Sequence, residues 1–202
     1  MQNVVKKPKL SSTKTIAKVG ILSAIAYVLM FISIPLPIFP SFLKIDLSDI
    51  PAIFGGMSLG PVAGLAIVVI KNFLQGITAS TTGGVGEFAN VIIGGSYVLV
   101  ICIFYRKFKD IKSVLFGGIV GMIVMAIVGC IMNYYVMMPL YATVYGMPIE
   151  AFVKMGTVIN PKVTDLYTFV IWMIGPFNIV KGSIMTLVTL PLFKKIEKLL
   201  MK

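Results

Sequence analysis

Residues 113–149, SVLFGGIVGMIVMAIVGCIMNYYVMMPLYATVYGMPI, contain no charged side chain. An α-helix rises about 1.5 Å per residue and the hydrocarbon core of a bilayer is about 30 Å thick, so about 18 to 20 such residues suffice to cross it. The run from Ser113 to Ile149 therefore holds a membrane helix with length to spare. Val19–Leu43, Ile50–Ile70 and Phe88–Tyr105 are uncharged in the same way. Of the 202 residues, 58% are hydrophobic and only 12% charged. A soluble domain carries about a quarter of its residues charged, so the solvent of this chain is lipid.

The chain has no histidine. That excludes histidine triads, imidazole metal sites and the commonest general base. No base stands near a nucleophile with an oxyanion or metal partner, so the sequence reads as a non-enzyme with no metal and no cofactor. Cys102 and Cys130 fall inside apolar segments without a CxxC spacing and read as small packing residues. No Walker A pattern is present, because Lys181-Gly182-Ser183 lacks the glycine that should precede it.

Eighteen Lys and Arg against seven Asp and Glu give a net charge of +11. In a soluble protein that excess would raise nucleic-acid binding, but here position decides. Thirteen of the eighteen cations fall in three clusters: Lys6, Lys7, Lys9, Lys14 and Lys18; Arg106, Lys107, Lys109 and Lys112; and Lys194, Lys195, Lys198 and Lys202. Membrane proteins retain such clusters on the cytoplasmic side, where they anchor to the bilayer surface. The expectation is a single integral membrane domain, residues 1–202, with a basic cytoplasmic segment over 1–15, both termini inside and no nucleic-acid partner. The first apolar run is too long for a cleaved signal and should be retained.

An even number of crossings must separate each basic cluster from the next. Pro35, Pro37 and Pro40 end a first helix near Ile34. A short second one spans about Ser48–Leu59, stopped by Gly60-Pro61. The third runs from about Val62 to Ala79, the fourth from Gly86 to Tyr105, the fifth from Val114 to Met138 and the sixth from Leu166 to Phe193. The fold class expected is an all-α bundle of six transmembrane helices. Met147-Pro148 and Asn160-Pro161 bracket a short surface helix on the outside.

Ionisable and amide side chains are costly in a membrane and are functional candidates by default. Asp46 stands where the first outside segment enters helix two, beside Ser48 and Asp49, either of which suits a helix N-cap. Lys71 and Gln75 share a face of helix three. Glu87 and Asn90 begin helix four behind Gly83, Gly84 and Gly86. Asn133 and Tyr134 stand toward the outer end of helix five, and Asn178 and Lys181 lie one turn apart on helix six. All converge on the outer half of the bundle. An ion pair of Glu87 with Lys181 or Lys71 is the packing alternative. Amides that donate and accept suit a heterocycle edge, and a carboxylate suits hydroxyls.

The segments Ile45-Asp46-Leu47-Ser48-Asp49-Ile50-Pro51, Gly84-Val85-Gly86-Glu87-Phe88-Ala89-Asn90, Asn133-Tyr134-Tyr135 and Pro176-Phe177-Asn178-Ile179-Val180-Lys181-Gly182 resemble the RibU-like family, the riboflavin-specific S components of energy-coupling factor (ECF) transporters. The resemblance implies an S-component bundle in a prokaryotic plasma membrane that captures riboflavin from outside. It also implies docking on a shared module of one coupling (T) component and two ATPases. Glu87, Asn133, Asn178 and Lys181 would contact the ligand, with the Val85 backbone nearby. The family docks through small residues of its first helix, and this chain offers Ala17, Gly20 and Ala24 there. An S component for another vitamin, or a stand-alone carrier or channel, is the alternative. The channel would need polar groups continuing through the inner half, and the inner parts of helices one, four and five are almost wholly apolar.

Overall fold

Helix α1 (Thr13–Met30) opens the structure, a computed structural model that describes residues 12–200, with side chains as far as Lys195. Most of the basic 1–15 segment, including Lys6, Lys7 and Lys9, and Lys198 and Lys202 near the other end, lie outside the described residues or their side chains. The helix starts at Thr13, well before Val19, because Lys14 and Lys18 are exposed and their long stems carry the charge away from an apolar surface. It ends at Met30 rather than near Ile34, since Pro35 forces the residue before it into an extended conformation.

Beyond α1 the chain departs from the expected loop. Ile34–Pro35 (β1) pairs antiparallel with Lys44–Ile45 (β2), Ile34 opposite Ile45 and Pro35 opposite Lys44, so the proline-rich segment closes into a small hairpin. The hairpin drops Phe39, Phe42 and Ile45 onto a cluster with Tyr141, Phe152, Phe169 and Phe177. Phe39 and Phe177 meet edge to face with centroids 5.4 Å apart.

Helix α2 (Asp49–Leu59) is short, and the Gly60-Pro61 turn reverses the chain into α3 (Pro61–Thr78). The two helices cross closely, since a Cβ placed on Gly56 would lie 3.3 Å from the Gly64 Cα. Gly83 (φ +61°) and Gly84 (φ +88°) take the left-handed conformation that turns the chain into the next helix. That helix is continuous from Val85 to Phe108, yet built of three parts: α4 (Val85–Ala89), a wide π-turn at Asn90–Gly94, and α5 (Gly95–Phe108).

The next rod repeats the construction. α6 (Ile111–Met132), capped reciprocally by Asp110 and Ser113, passes through a π-turn at Asn133–Met137 into α7 (Met138–Tyr145). It therefore does not stop at Met138. Pro139 falls in the first turn after the wide one, where a missing N–H is tolerated. α8 (Ile149–Ile159) is the short helix expected between Pro148 and Asn160. α9 (Leu166–Phe169), capped by Asp165 and Thr168, leads through a third π-turn at Val170–Ile174 into α10 (Gly175–Leu200).

Among the described residues, five helical rods are long and apolar enough to cross a membrane; α2, at 11 residues, is not. Helices in lipid gain nothing from mutual hydrophobic burial, so small residues and hydrogen bonds hold them together. On α6, Gly118 leaves room for Thr186 and Gly121 for the Tyr97 ring. The Tyr97 hydroxyl, fully buried, lies 2.8 Å from the Thr186 hydroxyl and ties α5 to α10. Cys102 and Cys130 are free thiols facing the Ile53 and Val170 carbonyls.

Candidate ligand-binding site

A cavity of about 450 Å³ opens in the half of the bundle that holds the hairpin and all three π-turns, within the size range of small-molecule sites. Its polar wall includes Asp46, Gln75, Glu87 and Asn90 from one side and Asn133, Asn178 and Lys181 from the other. Phe42, Tyr141 and Phe177 supply an aromatic wall. Of the three rings, Phe42 reaches the site only through the hairpin, which the sequence does not announce.

Three sequence candidates do not line the cavity. Lys71 is 1% exposed and points toward α2 instead. Tyr134 follows Asn133 by about 100° around its helix, so only one of them faces inward; Tyr134 lies at the surface against the Tyr135 ring. Val85, expected near the ligand through its backbone, buries its side chain in the cluster of Tyr141, Phe152 and Phe169, and its neighbours Gly86 and Glu87 line the cavity.

The ion pairs also differ from expectation. Glu87 pairs with neither lysine: its Oε2 accepts from the hydroxyls of Ser80 (2.9 Å) and Thr82 (2.8 Å) in the turn before it. The lysines pair with the aspartates around the start of α2. Lys71 Nζ lies 2.5 Å from Asp49 Oδ1, and Lys181 Nζ lies 3.7 Å from Asp46 Oδ2. Lys181 also donates to Asn90 Oδ1 at 3.3 Å. Ser48 occupies the N-cap position of α2 but makes no cap bond. Its backbone N–H, at 2.9 Å, and its hydroxyl both donate to Asp46 Oδ1. Burial pushes the Asp46 carboxyl up, but the ammoniums of Lys181 and Lys71 and the Ser48 hydrogen bonds outweigh it, holding the group below the ordinary carboxylate range.

The amides are held in a way the sequence does not reveal. Asn133 Nδ2 donates to the Gly129 carbonyl at 2.8 Å, Asn178 Nδ2 to the Ile174 carbonyl at 2.9 Å, and Gln75 Nε2 to the Ala79 carbonyl at 3.3 Å. One N–H of each amide is tied back onto its own helix, the local bond that short polar side chains make readily, and the second N–H stays available. Among the described residues the three amide oxygens accept no hydrogen bond, and neither does Glu87 Oε1. Gln75 Oε1 is moreover buried. The wall thus holds, among the described residues, unpartnered oxygens on Glu87, Asn133 and Asn178, the unbonded Asn90 Nδ2 and one ammonium beside a cluster of rings. It fits a ligand that brings donors of its own and a flat apolar body.

On helix α1, Ala17, Gly20 and Ala24 are all exposed, and a Cβ on Gly20 would meet nothing within 4 Å. Among the described residues nothing packs on Gly20 at this face.

Residues 14–193 match the family model described as ECF transporter, substrate-specific component. The riboflavin transporter RibU of Staphylococcus aureus (strain TCH60) is 33% identical over 195 residues, covering 96% of each chain. The riboflavin transporter FmnP of Bacillus subtilis (strain 168) is 35% identical over 188 residues, covering 91% of this chain and 92% of its own. A solved S component of a bacterial ECF transporter superposes with a TM-score of 0.73 at 33% identity, over 94% of this chain and 98% of its own.

Proposed function

The chain belongs to the substrate-specific components of ECF transporters, and from that premise we propose that it binds riboflavin in the cavity and serves its uptake. The observation that carries this reading is the wall of unpartnered carboxylate and amide groups set beside aromatic rings. Riboflavin brings a chain of hydroxyls and a ring N–H as donors, and an isoalloxazine that suits the wall of Phe42, Tyr141 and Phe177. Lys181 supplies the one strong donor, toward the ring's carbonyl edge. Asp46, Gln75, Glu87, Asn90, Asn133 and Asn178 form the rest of the polar contact. The relatives at 33% and 35% identity are riboflavin transporters, which agrees with this choice over other vitamins.

The protein is a multi-pass subunit of a prokaryotic plasma membrane, with six crossings and both termini in the cytoplasm. α2 provides the sixth crossing although it is short. Arg106 supports this, since its Nη1 lies 3.1 Å from where a Cβ on Gly60 would be, so the α2–α3 turn sits at the same end as the basic Arg106–Lys112 cluster. At the opposite end, the Tyr145 hydroxyl donates to the Thr81 carbonyl at 2.9 Å, levelling the end of α7 with the turn before α4. The exposed Ala17, Gly20 and Ala24 form the face that docks on a T component carrying two ATPases.

The test is retention of riboflavin by the purified chain without ATP, read as quenching of flavin fluorescence, with thiamine and biotin as competitors. Riboflavin should remain bound against an excess of both. Displacement by either, or no quenching, refutes the assignment. Surface labelling of Lys109→Cys in intact cells should be absent, and strong labelling would overturn the topology.

A further inference from the structure

Behind the Asp46–Lys181 pair lies a second one that the cavity never touches. Lys71 and Ser48 are 1% and 0% exposed, Asp49 is 2%, and none of the three lines the cavity. Yet they are bonded in series to groups that do. Lys71 Nζ donates to Ser48 Oγ as well as to Asp49, and Ser48 Oγ donates to Asp46 Oδ1. Asp46 Oδ2 faces Lys181 Nζ, which in turn donates to Asn90 Oδ1. The series runs from α3, through the start of α2, to α10 and the first π-turn.

The order of donors is what matters. A serine hydroxyl has one proton to give, and Lys71 delivers an N–H into its oxygen, so the Ser48 proton is directed away from Lys71 and onto Asp46 Oδ1. That bond, with the Ser48 backbone N–H on the same oxygen, occupies Oδ1 and leaves Oδ2 for Lys181. At 3.7 Å, Oδ2 stands beyond close hydrogen-bond distance from the ammonium, so Lys181 is restrained without being captured. We propose that Ser48 and Lys71 are positioning residues for the riboflavin site: acting through Asp46, they keep the Lys181 ammonium turned toward the cavity. This rests on the assignment of riboflavin to the cavity. Without the Ser48 hydroxyl, Asp46 Oδ1 keeps only the Ser48 backbone N–H, and the ammonium that already faces the carboxylate is Lys181. The ammonium would then close on Asp46 and leave the ligand.

Ser48→Ala tests this with no change of charge and with both ion pairs intact. Binding of riboflavin by the purified protein should weaken about tenfold, as expected for a lost hydrogen bond to a charged group, while the midpoint of thermal unfolding changes little. The same substitution in an Asp46→Asn background should cause no further loss, because the route to Lys181 is already broken. Lys71→Met should behave as Ser48→Ala does where it folds, but the proposal does not depend on that variant. Parental affinity in Ser48→Ala overturns the proposal, and so does an equal loss in the presence and absence of the Asp46 carboxylate, which would mark Ser48 as a packing residue. If the unaltered chain does not quench flavin, the riboflavin reading itself has failed, an outcome separate from either.

Discussion

A single methyl that never meets the ligand should disable the site. Gly129 on α6 lies directly beneath the Asn178 amide: a Cβ there would fall on Nδ2, 3.2 Å from Cγ and 3.5 Å from Ile93 Cγ2. Gly129→Ala must therefore swing Asn178 off the Ile174 carbonyl, which it now holds at 2.9 Å, or push α6 from α10. Overpacking of this kind costs about 1 to 3 kcal/mol and the lost bond about 1 kcal/mol more. For a chain of this size each kcal/mol lowers the unfolding midpoint by roughly 2 to 4 °C. In the site, Asn178 Oδ1 is displaced from the ligand donor it should accept from, a loss of about 1 to 3 kcal/mol, or roughly 5- to 150-fold in affinity. Flavin quenching and thermal unfolding of the purified variant measure the two effects. The decisive comparison is Gly129→Ala with Asn178→Ala, where the methyl occupies the space the amide has vacated. The midpoint should return toward the parent while affinity stays low. Parental affinity in Gly129→Ala, or a double variant no more stable than Gly129→Ala alone, would refute the reasoning.

Glu87→Ala should weaken riboflavin binding by about tenfold or more, since it removes a charged acceptor held by Ser80 and Thr82; unchanged quenching in a folded variant would make Glu87 a turn residue only. Gly20→Leu fills a face that touches nothing among the described residues, so cellular uptake should be abolished with riboflavin binding intact, and parallel loss of both would place the residue inside the fold. The Asp46 carboxyl is held below its ordinary value of 3.8, so its contribution is complete above that value and lost as pH falls through the lower folded one. Affinity should then be flat from about pH 8 to about pH 5, and a fall in that range that disappears in Asp46→Asn would contradict the pairing with Lys181.

The rods are legible because an uncharged run of membrane length has few other fates. α8 is legible because Pro148 and Asn160 punctuate it at both ends. The hairpin is not, since three prolines in Pro35–Pro40 read as breakers and nothing local announces that Ile34 will pair with Ile45. The polar residues of the site stand out by their cost in lipid, a property of each residue taken alone. Their partners do not, because spacing reports neighbours on one helix whereas Lys71 with Asp49 and Lys181 with Asp46 are contacts between segments. A lysine is the partner that charge alone suggests for Glu87, and no local pattern shows that Ser80 and Thr82 fold back over it. The bonds that hold Asn133 and Asn178 to their own helices are likewise a matter of rotamer, which composition does not encode.

The three π-turns carry a consequence for heredity. In an α-helix each residue advances the azimuth by about 100°, and a π-turn is such a helix with one residue too many. Deleting Val91 from Asn90–Gly94 would thus do more than shorten a rod: it would rotate Glu87 and Asn90 by about 100° against Tyr97 and everything after it. The same holds at Asn133–Met137 and Val170–Ile174. At these three places an insertion or deletion of one residue is a change of phase, able to turn a lining residue out to lipid while every side chain in the site keeps its identity.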